Sequence, residues 1–383
     1  MLLGLREIRR AKTRFGLLIG AVGLLVFLIF FQQTLLTNLL GFFTGALENQ
    51  SGQVVVYGAD ARKNLAGSVI TPDQLAAVAQ VPGVDETGPL GEGTFTTRAG
   101  DGKEVDGILF GYDLGGPGEP TRLSSGRLPE GADEGVASAI DRDNGFAIGD
   151  TVEIVPGAGG TEPLRIRIVG LADDSRFSVQ PVVFVSFPTY EAARRVANPS
   201  AVAQPVFASA ALAQPTEGVD ATDLARRINR AVPGVDALDR AAAVAQSPGV
   251  QPVRQSFSII LFLTFLVVAL VTGFFFLILT VQKQAALTLL RAVGAPRAFL
   301  VRALMVQVGI VIIGGLVVGT ALLVLASAGS SAAFPIEIDP RLIATSGIIV
   351  LVLALAASLV AVRRVLRVDA ADAVAKPALG GLT

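Results

Sequence analysis

"FGLLIGAVGLLVFLIFFQQTLLTNLLGFFTGAL", residues 15–47, contains no charged side chain. Written as a helix rising 1.5 Å per residue it is about 50 Å long. The hydrocarbon core of a bilayer is only about 30 Å thick, so this stretch more than spans it. Three later stretches, 255–282, 303–336 and 342–362, are also free of charge. Each exceeds the roughly 18 to 20 apolar residues that a spanning helix needs. The first is far longer than the apolar core of a signal peptide and is read as a retained anchor. The fold class that follows is an α-helical membrane protein with four transmembrane helices and one mixed α/β extracytoplasmic domain inserted between helices 1 and 2.

Charge sets the expected orientation. Arg6, Arg9, Arg10, Lys12 and Arg14 precede the first span; Lys283, Arg291, Arg297 and Arg302 stand between the second and third; Arg363, Arg364, Arg367 and Lys376 follow the fourth. Positive residues favour the cytoplasmic side, which puts both termini there and residues 48–254 outside. The outside segment carries 17 Lys or Arg against 27 acids, a balance of −10, while the remainder of the chain stands at +9. So acidic an exposed domain argues against nucleic acid as a partner. Cysteine is absent, which removes disulfides and thiolate metal sites.

The expected segments are 1–14, an amphipathic lead-in; 15–47, helix 1 with a stalk; 48–254, the α/β domain; 255–282, helix 2; 283–299, a cytoplasmic coupling helix; 300–327, helix 3; 328–341, a short external loop; 342–362, helix 4; and 363–383, a tail. Helices 1 and 2 overshoot the bilayer, so their surplus reads as a stalk. Gln32, Gln33, Thr34, Thr37 and Asn38 fall where helix 1 would leave the membrane. They read either as the solvated surface of that stalk or as a substrate-facing patch, with Gln32, Gln33 and Asn38 the substrate-binding candidates. Helix 3 carries Gly315 and Gly319, a spacing that lets membrane helices approach closely.

Within the inserted domain, 54–57, 150–155, 164–171 and 181–187 read as strands. "TPDQLAAVAQVPGV" (71–84) and "DATDLARRINRAVPGV" (220–235) read as helices, and Thr71, Pro72 and Gln74 form a capping box. Both end in Val-Pro-Gly-Val before a possible strand. This suggests a duplicated β-α-β unit enclosing a β-rich lobe around residues 90–190.

Catalytic chemistry is hard to place. There is no histidine, no Gly-x-Ser-x-Gly and no phosphate loop. No ionisable residue lies inside the uncharged stretches, where ion-coupled transporters keep proton or ion relays. Attention therefore falls on "QKQAALTLLRAVGAPRAFL" (282–300). On a helix, Gln284, Thr288 and Arg291 share one face and Ala286, Leu290 and Val293 another; Gly294 stops the helix and Pro296 blocks its continuation.

That segment resembles the Leu-Arg-Ala-Ile-Gly-Ala motif of the permeases of MacB-type (type VII) ABC systems, which include the FtsX-like permeases. "REIRRAKTRFGLLIGAVGLL" (6–25), "GFAIGDTVEI" (145–154), "LRIRIVGLADDS" (164–175) and "RRVLRVDAADAV" (363–374) are similar to other segments of that family, and 280–295 is most similar to its DevC-type and HrtB-type branch. The resemblance implies a homodimer working with two copies of a separate ABC ATPase. It implies no intrinsic cofactor, since ATP and Mg would be used by the ATPase, and no catalysis in this chain. Lys283, Gln284, Thr288, Leu290, Arg291, Gly294 and Arg297 become the candidates for ATPase coupling. Ala286 stands where the family often has Glu, so no salt bridge is carried over there. The implied cargo is hydrophobic or amphiphilic: lipid, haem, peptide or drug. For haem, the available ligands would be Met305, Tyr57, Tyr112 or Tyr190, or a carboxylate. The alternative is an FtsX-like mechanotransmitter that activates a cell-wall hydrolase and transports nothing; a stand-alone receptor without an ATPase is a third.

Overall fold

The computed structural model describes residues 12–99, 102–160, 162–201, 204–282, 296–329 and 339–367. The chain divides into two units, Met1–Thr37 with Gln255–Thr383, and Asn38–Arg254. Helix α1 (Lys12–Glu48) runs unbroken and contributes residues to both.

The inserted unit is built on a sheet whose first part repeats one motif twice. Strand β1 (Val54–Gly58), helix α2 (Pro72–Ala79) and strand β2 (Val84–Arg98) form the first copy. The insertion holds β3 (Glu104–Tyr112), β4 (Leu123–Gly126), β5 (Glu134–Ser138), β6 (Thr151–Ile154), β7 (Leu164–Ala172), β8 (Val182–Ser186) and helix α3 (Phe187–Ala197). Strand β9 (Ala210–Pro215), helix α4 (Ala221–Ala231) and strand β10 (Val235–Asp239) complete the second copy. The order β10-β1-β9-β2, antiparallel between neighbours, is that of a split β-α-β pair. The two Val-Pro-Gly-Val segments turn the same way, with Gly83 at φ 100° and Gly234 at φ 75°, left-handed backbone that glycine adopts without a Cβ clash. The capping box also forms: Thr71 N–H donates to Gln74 Oε1 at 3.0 Å and Gln74 N–H to Thr71 Oγ1 at 3.3 Å.

Beyond this sheet β2 continues into a closed ring, β2-β3-β8-β5-β7-β6 and back to β2. Alternation along each strand separates two cores. Leu109, Val152, Ile166, Ile168, Val183 and Val185 pack together, with Phe95 and Tyr190. Ile108, Phe110, Val182 and Phe184 point the other way and join Tyr57, Leu90 and Leu212 in the central core. Helices α2 and α4 cover the remaining face of the first sheet through Val78, Leu224 and Ile228.

A further helix, α5 (Arg240–Gln246), leads to α6 (Val250–Gln282), followed by α7 (Arg297–Ala328) and α8 (Pro340–Arg367). Lys12–Glu48, Val250–Gln282, Leu304–Ala328 and Pro340–Val360 are each long and apolar enough to cross a membrane. In the unit they form, Val22, Val26, Ile29, Phe276, Val308, Ile312, Val350 and Ala354 share one apolar cluster.

Candidate functional site

Helices in lipid gain little from burying more hydrocarbon, so their association depends on close packing and hydrogen bonds. Both devices meet on α1. A Cβ on Gly315 would lie 2.5 Å from Val22 Cγ1, and one on Gly319 2.9 Å from the Gly23 carbonyl oxygen. Conversely, a Cβ on Gly23 would lie 2.6 Å from Val318 Cγ1. The glycines at 315 and 319 therefore seat α7 directly on the α1 backbone, as their spacing suggested.

The polar residues at 32–34 correct one reading. They are not the solvated surface of a stalk: Gln32 is 8% exposed and Thr34 6%. Gln32 Nε2 donates to the Phe257 carbonyl of α6 at 3.2 Å, and Gln33 Oε1 accepts from Ser346 Oγ of α8. A buried amide must find a partner inside the bundle, and these two tie α1 to different helices. Asn38 belongs to the other unit. Gln32 and Gln33 thus bond to different helices.

Lys283, Gln284, Thr288, Leu290, Arg291 and Gly294 lie outside the described residues. Arg297 opens α7, immediately after Pro296 in extended backbone at φ −67°, ψ 143°. Proline there pre-sets the entry to a helix and needs no N–H partner.

At its other end α1 enters the core of the inserted unit. Ala46 and Leu47 are fully buried with Leu65, Phe177 and Ala243 of α5. Phe43 packs near Gly249, just before α6, whose added Cβ would lie 3.6 Å from the ring. The segments that enter and leave this unit are thereby packed together within it.

Charged groups in the unit are mostly answered. Glu134 accepts from Arg127 and Arg167, each at 2.6 Å. Among the described residues, Glu92 stands apart. It is 6% exposed, its Oε2 has no hydrogen-bond partner, and desolvation pushes its carboxyl up to about 7 against the opposing charge of Arg194. Nothing local marks it out, because a Glu flanked by Gly91 and Gly93 has the composition of a turn. Both glycines make room for Tyr190, whose hydroxyl donates to the Glu92 carbonyl at 2.9 Å.

The tyrosines considered as haem ligands are core residues. Tyr57 and Tyr112 are fully buried and Tyr190 is 2% exposed, while Met305 packs against the apolar cluster of the membrane unit. Among the described residues no cluster of three or more His, Cys, Asp or Glu could hold a metal ion.

Comparison with known proteins bears on residues 258–370, which match the family profile described as FtsX-like permease C-terminal. Over 97% of its length the chain is 28% identical to the uncharacterized ABC transporter permease Rv0072 of Mycobacterium tuberculosis (strain ATCC 25618 / H37Rv), covering 99% of that protein. A second relative from the same strain, the uncharacterized ABC transporter permease Rv2563, is 27% identical, again over 97% of this chain and 99% of its own. Among solved structures, the periplasmic region of MacB from Actinobacillus actinomycetemcomitans matches with a TM-score of 0.36 at 11% identity, over 51% of this chain and 92% of that one. The extracellular domain of the noncanonic ABC-type transporter YknZ from Gram-positive bacteria matches with a TM-score of 0.32 at 15% identity, over 49% of this chain and 100% of that one.

Proposed function

We propose that this chain is an ABC transporter permease of the MacB/FtsX type, a multi-pass protein of the plasma membrane; the FtsX-like match over residues 258–370, the similarity to ABC transporter permeases along its length and the four helices long enough to span support this. A permease of this class implies an ABC ATPase partner, and two ATPase copies on a homodimer of this chain are proposed. ATP and Mg are used by that partner, and the permease is a non-catalytic subunit.

The observation that carries the proposal is α1. It is one helix over Lys12–Glu48, seated on α7 by glycines at one level and buried in the inserted domain's core at its C-terminal end. A continuous helix held within each unit can carry a displacement that a flexible linker would dissipate. The proposed cycle begins in the cytoplasm, where the 283–293 segment, through Gln284, Thr288, Leu290 and Arg291, meets the ATPase together with Arg297 at the start of α7. ATP binding shifts α1, and α1 displaces the inserted domain on the outer side. Both termini lie in the cytoplasm, consistent with the basic residues that flank the spans.

The stroke serves export, or extraction from the outer leaflet, of a hydrophobic or amphiphilic compound such as a lipid, peptide or drug. No charged side chain lies in the uncharged stretches, so shape and apolarity would select the cargo. Haem is the least favoured cargo, since Tyr57, Tyr112 and Tyr190 are all buried.

The test is to co-purify the chain with its ATPase in lipid nanodiscs and screen amphiphiles for stimulation of ATP hydrolysis. Stimulation by a lipid, peptide or drug class supports export. Hydrolysis indifferent to every amphiphile, together with capture of a coiled-coil wall hydrolase by residues 48–254, selects mechanotransmission without transport.

A further inference from the structure

One loop of the ring, residues 173–180, lies between β7 and β8 and wraps the C-terminal turns of α1. Five non-glycine residues among those described have positive φ, and three are here: Asp174 at 45°, Ser178 at 48° and Val179 at 66°. A β-branched valine in left-handed backbone is a genuine outlier, which persists only when its surroundings over-determine it.

Those surroundings are α1. Val179 N–H donates to the Phe42 carbonyl at 2.8 Å and Ser178 N–H to the Phe43 carbonyl at 3.1 Å. Ala46 N–H, which a regular helix directs at the Phe42 carbonyl, donates to the Arg176 carbonyl at 2.9 Å. Asn49 Nδ2 donates to the Asp174 carbonyl at 2.7 Å. The loop is therefore stitched into the hydrogen-bond ladder of the helix rather than resting on it. Gly45 is required for this approach, because a Cβ there would collide with the Asp174 carbonyl.

The loop is in turn fixed to the ring. Arg176 Nε donates to Asp141 Oδ2 at 3.0 Å and Nη2 to Asp141 Oδ1 at 2.5 Å, and its guanidinium carbon lies 5.0 Å from the centre of the Phe42 ring. A planar, two-pronged donor that also stacks on an aromatic face holds both helix and ring in one orientation, which an ammonium cannot do. Phe177 adds an apolar anchor, its ring centre 5.3 Å from that of Phe110.

We propose that the 173–180 loop is the joint that makes the ring follow α1, with Arg176 as its positioning residue. The covalent route from α1 runs to β1 and the first sheet. The loop supplies a second, non-covalent route to the ring, so both lobes of the inserted domain move with the helix. This rests on the reading that α1 carries the ATP-driven displacement.

The test uses the full chain with its ATPase in nanodiscs, the labelled chains diluted with unlabelled ones. Because the sequence has no cysteine, introduced pairs report alone. A spin-label pair at Thr37 and Ala328 reads whether α1 moves; a pair at Thr37 and Thr151 of β6 reads whether the ring follows. All three positions are exposed. In the wild-type background the Thr37–Ala328 distance shifts with ATP while the Thr37–Thr151 distribution stays narrow and unshifted. Arg176→Lys keeps a charge opposite Asp141, and Val179→Gly places glycine where the backbone is left-handed, so both retain the fold. In each, the Thr37–Ala328 shift persists and the Thr37–Thr151 distribution roughly doubles in width. Distributions indistinguishable from wild type in both variants overturn the joint. A wild-type Thr37–Ala328 distance that ignores ATP overturns the displacement reading instead. The joint is then decided by the nucleotide-free Thr37–Thr151 width alone, broadening in the variants supporting it and no broadening refuting it.

Discussion

Helices α1 and α6 flank the same inserted domain, yet they are held differently. In α1, 44% of the most apolar stretch is buried by the rest of the structure; in α6 the share is 22%. On α1 three glycine contacts and two glutamine bonds face other helices, whereas α6 leaves Phe262 67% exposed and Phe274 60% exposed. Apolar exposure of that kind suits lipid or a second copy of the chain. Length and hydropathy alone therefore do not say which helix can transmit force. What distinguishes α1 is backbone-close packing along it and a polar grip at its end.

The comparison breaks most easily at that grip. Replacing Arg176 by Ala leaves Asp141, 2% exposed, as a buried charge without its partner. The expected cost is about 3 to 5 kcal/mol, read as a lower unfolding midpoint of the inserted domain in the full chain; a midpoint within error of wild type contradicts the grip. Next comes the glycine seam. Gly319→Leu drives a side chain into Gly23 and Phe27 and should cost about 1 to 3 kcal/mol in detergent unfolding. Phe262→Leu on the exposed face of α6 serves as the paired control and should change little; equal losses in the two variants erase the distinction between the helices.

A pH profile separates the inserted domain from the membrane unit. The Glu92 carboxyl is raised to about 7 in the folded chain, from its ordinary value near 4.5, by desolvation first. Its contribution to stability is therefore fully present below the lower value and is lost as pH rises through the upper one. The inserted domain should weaken between those limits, and Glu92→Gln should flatten that window while leaving the glycine seam untouched. A slope that survives the substitution assigns it to another group. The smallest effect belongs to Gln32→Leu, which removes one interhelical bond worth about 0.6 kcal/mol and should show only as a slight shift in the same unfolding assay.

Much of this was legible beforehand because the signals are local. An uncharged stretch of spanning length, a capping box at Thr71 and Gln74, and two Val-Pro-Gly-Val turns each act within a few residues. What remained hidden depends on contacts across the chain. "GPLGEG" (88–93) has the composition of a turn but lies in the middle of β2, because Gly91 and Gly93 yield space to Tyr190 from α3. Gln32 and Gln33 look solvated until their partners on α6 and α8 are known. Arg176 and Asp141 lie far apart in sequence, and neither residue type announces a pair. The coupling residues from Lys283 to Gly294 were legible only through family resemblance and remain a proposal.

Whether ATP hydrolysed by the partner moves α1 is decided at its cytoplasmic source. The purified complex would carry labels at Thr37 and Ala328, and the distance would be followed with and without ATP in wild type and in the Leu290→Ala, Arg291→Ala double variant while hydrolysis is recorded in parallel. The account predicts an ATP-dependent shift in wild type and hydrolysis without that shift in the variant. An unmoved α1 in wild type, or an equal shift in the variant, would contradict it.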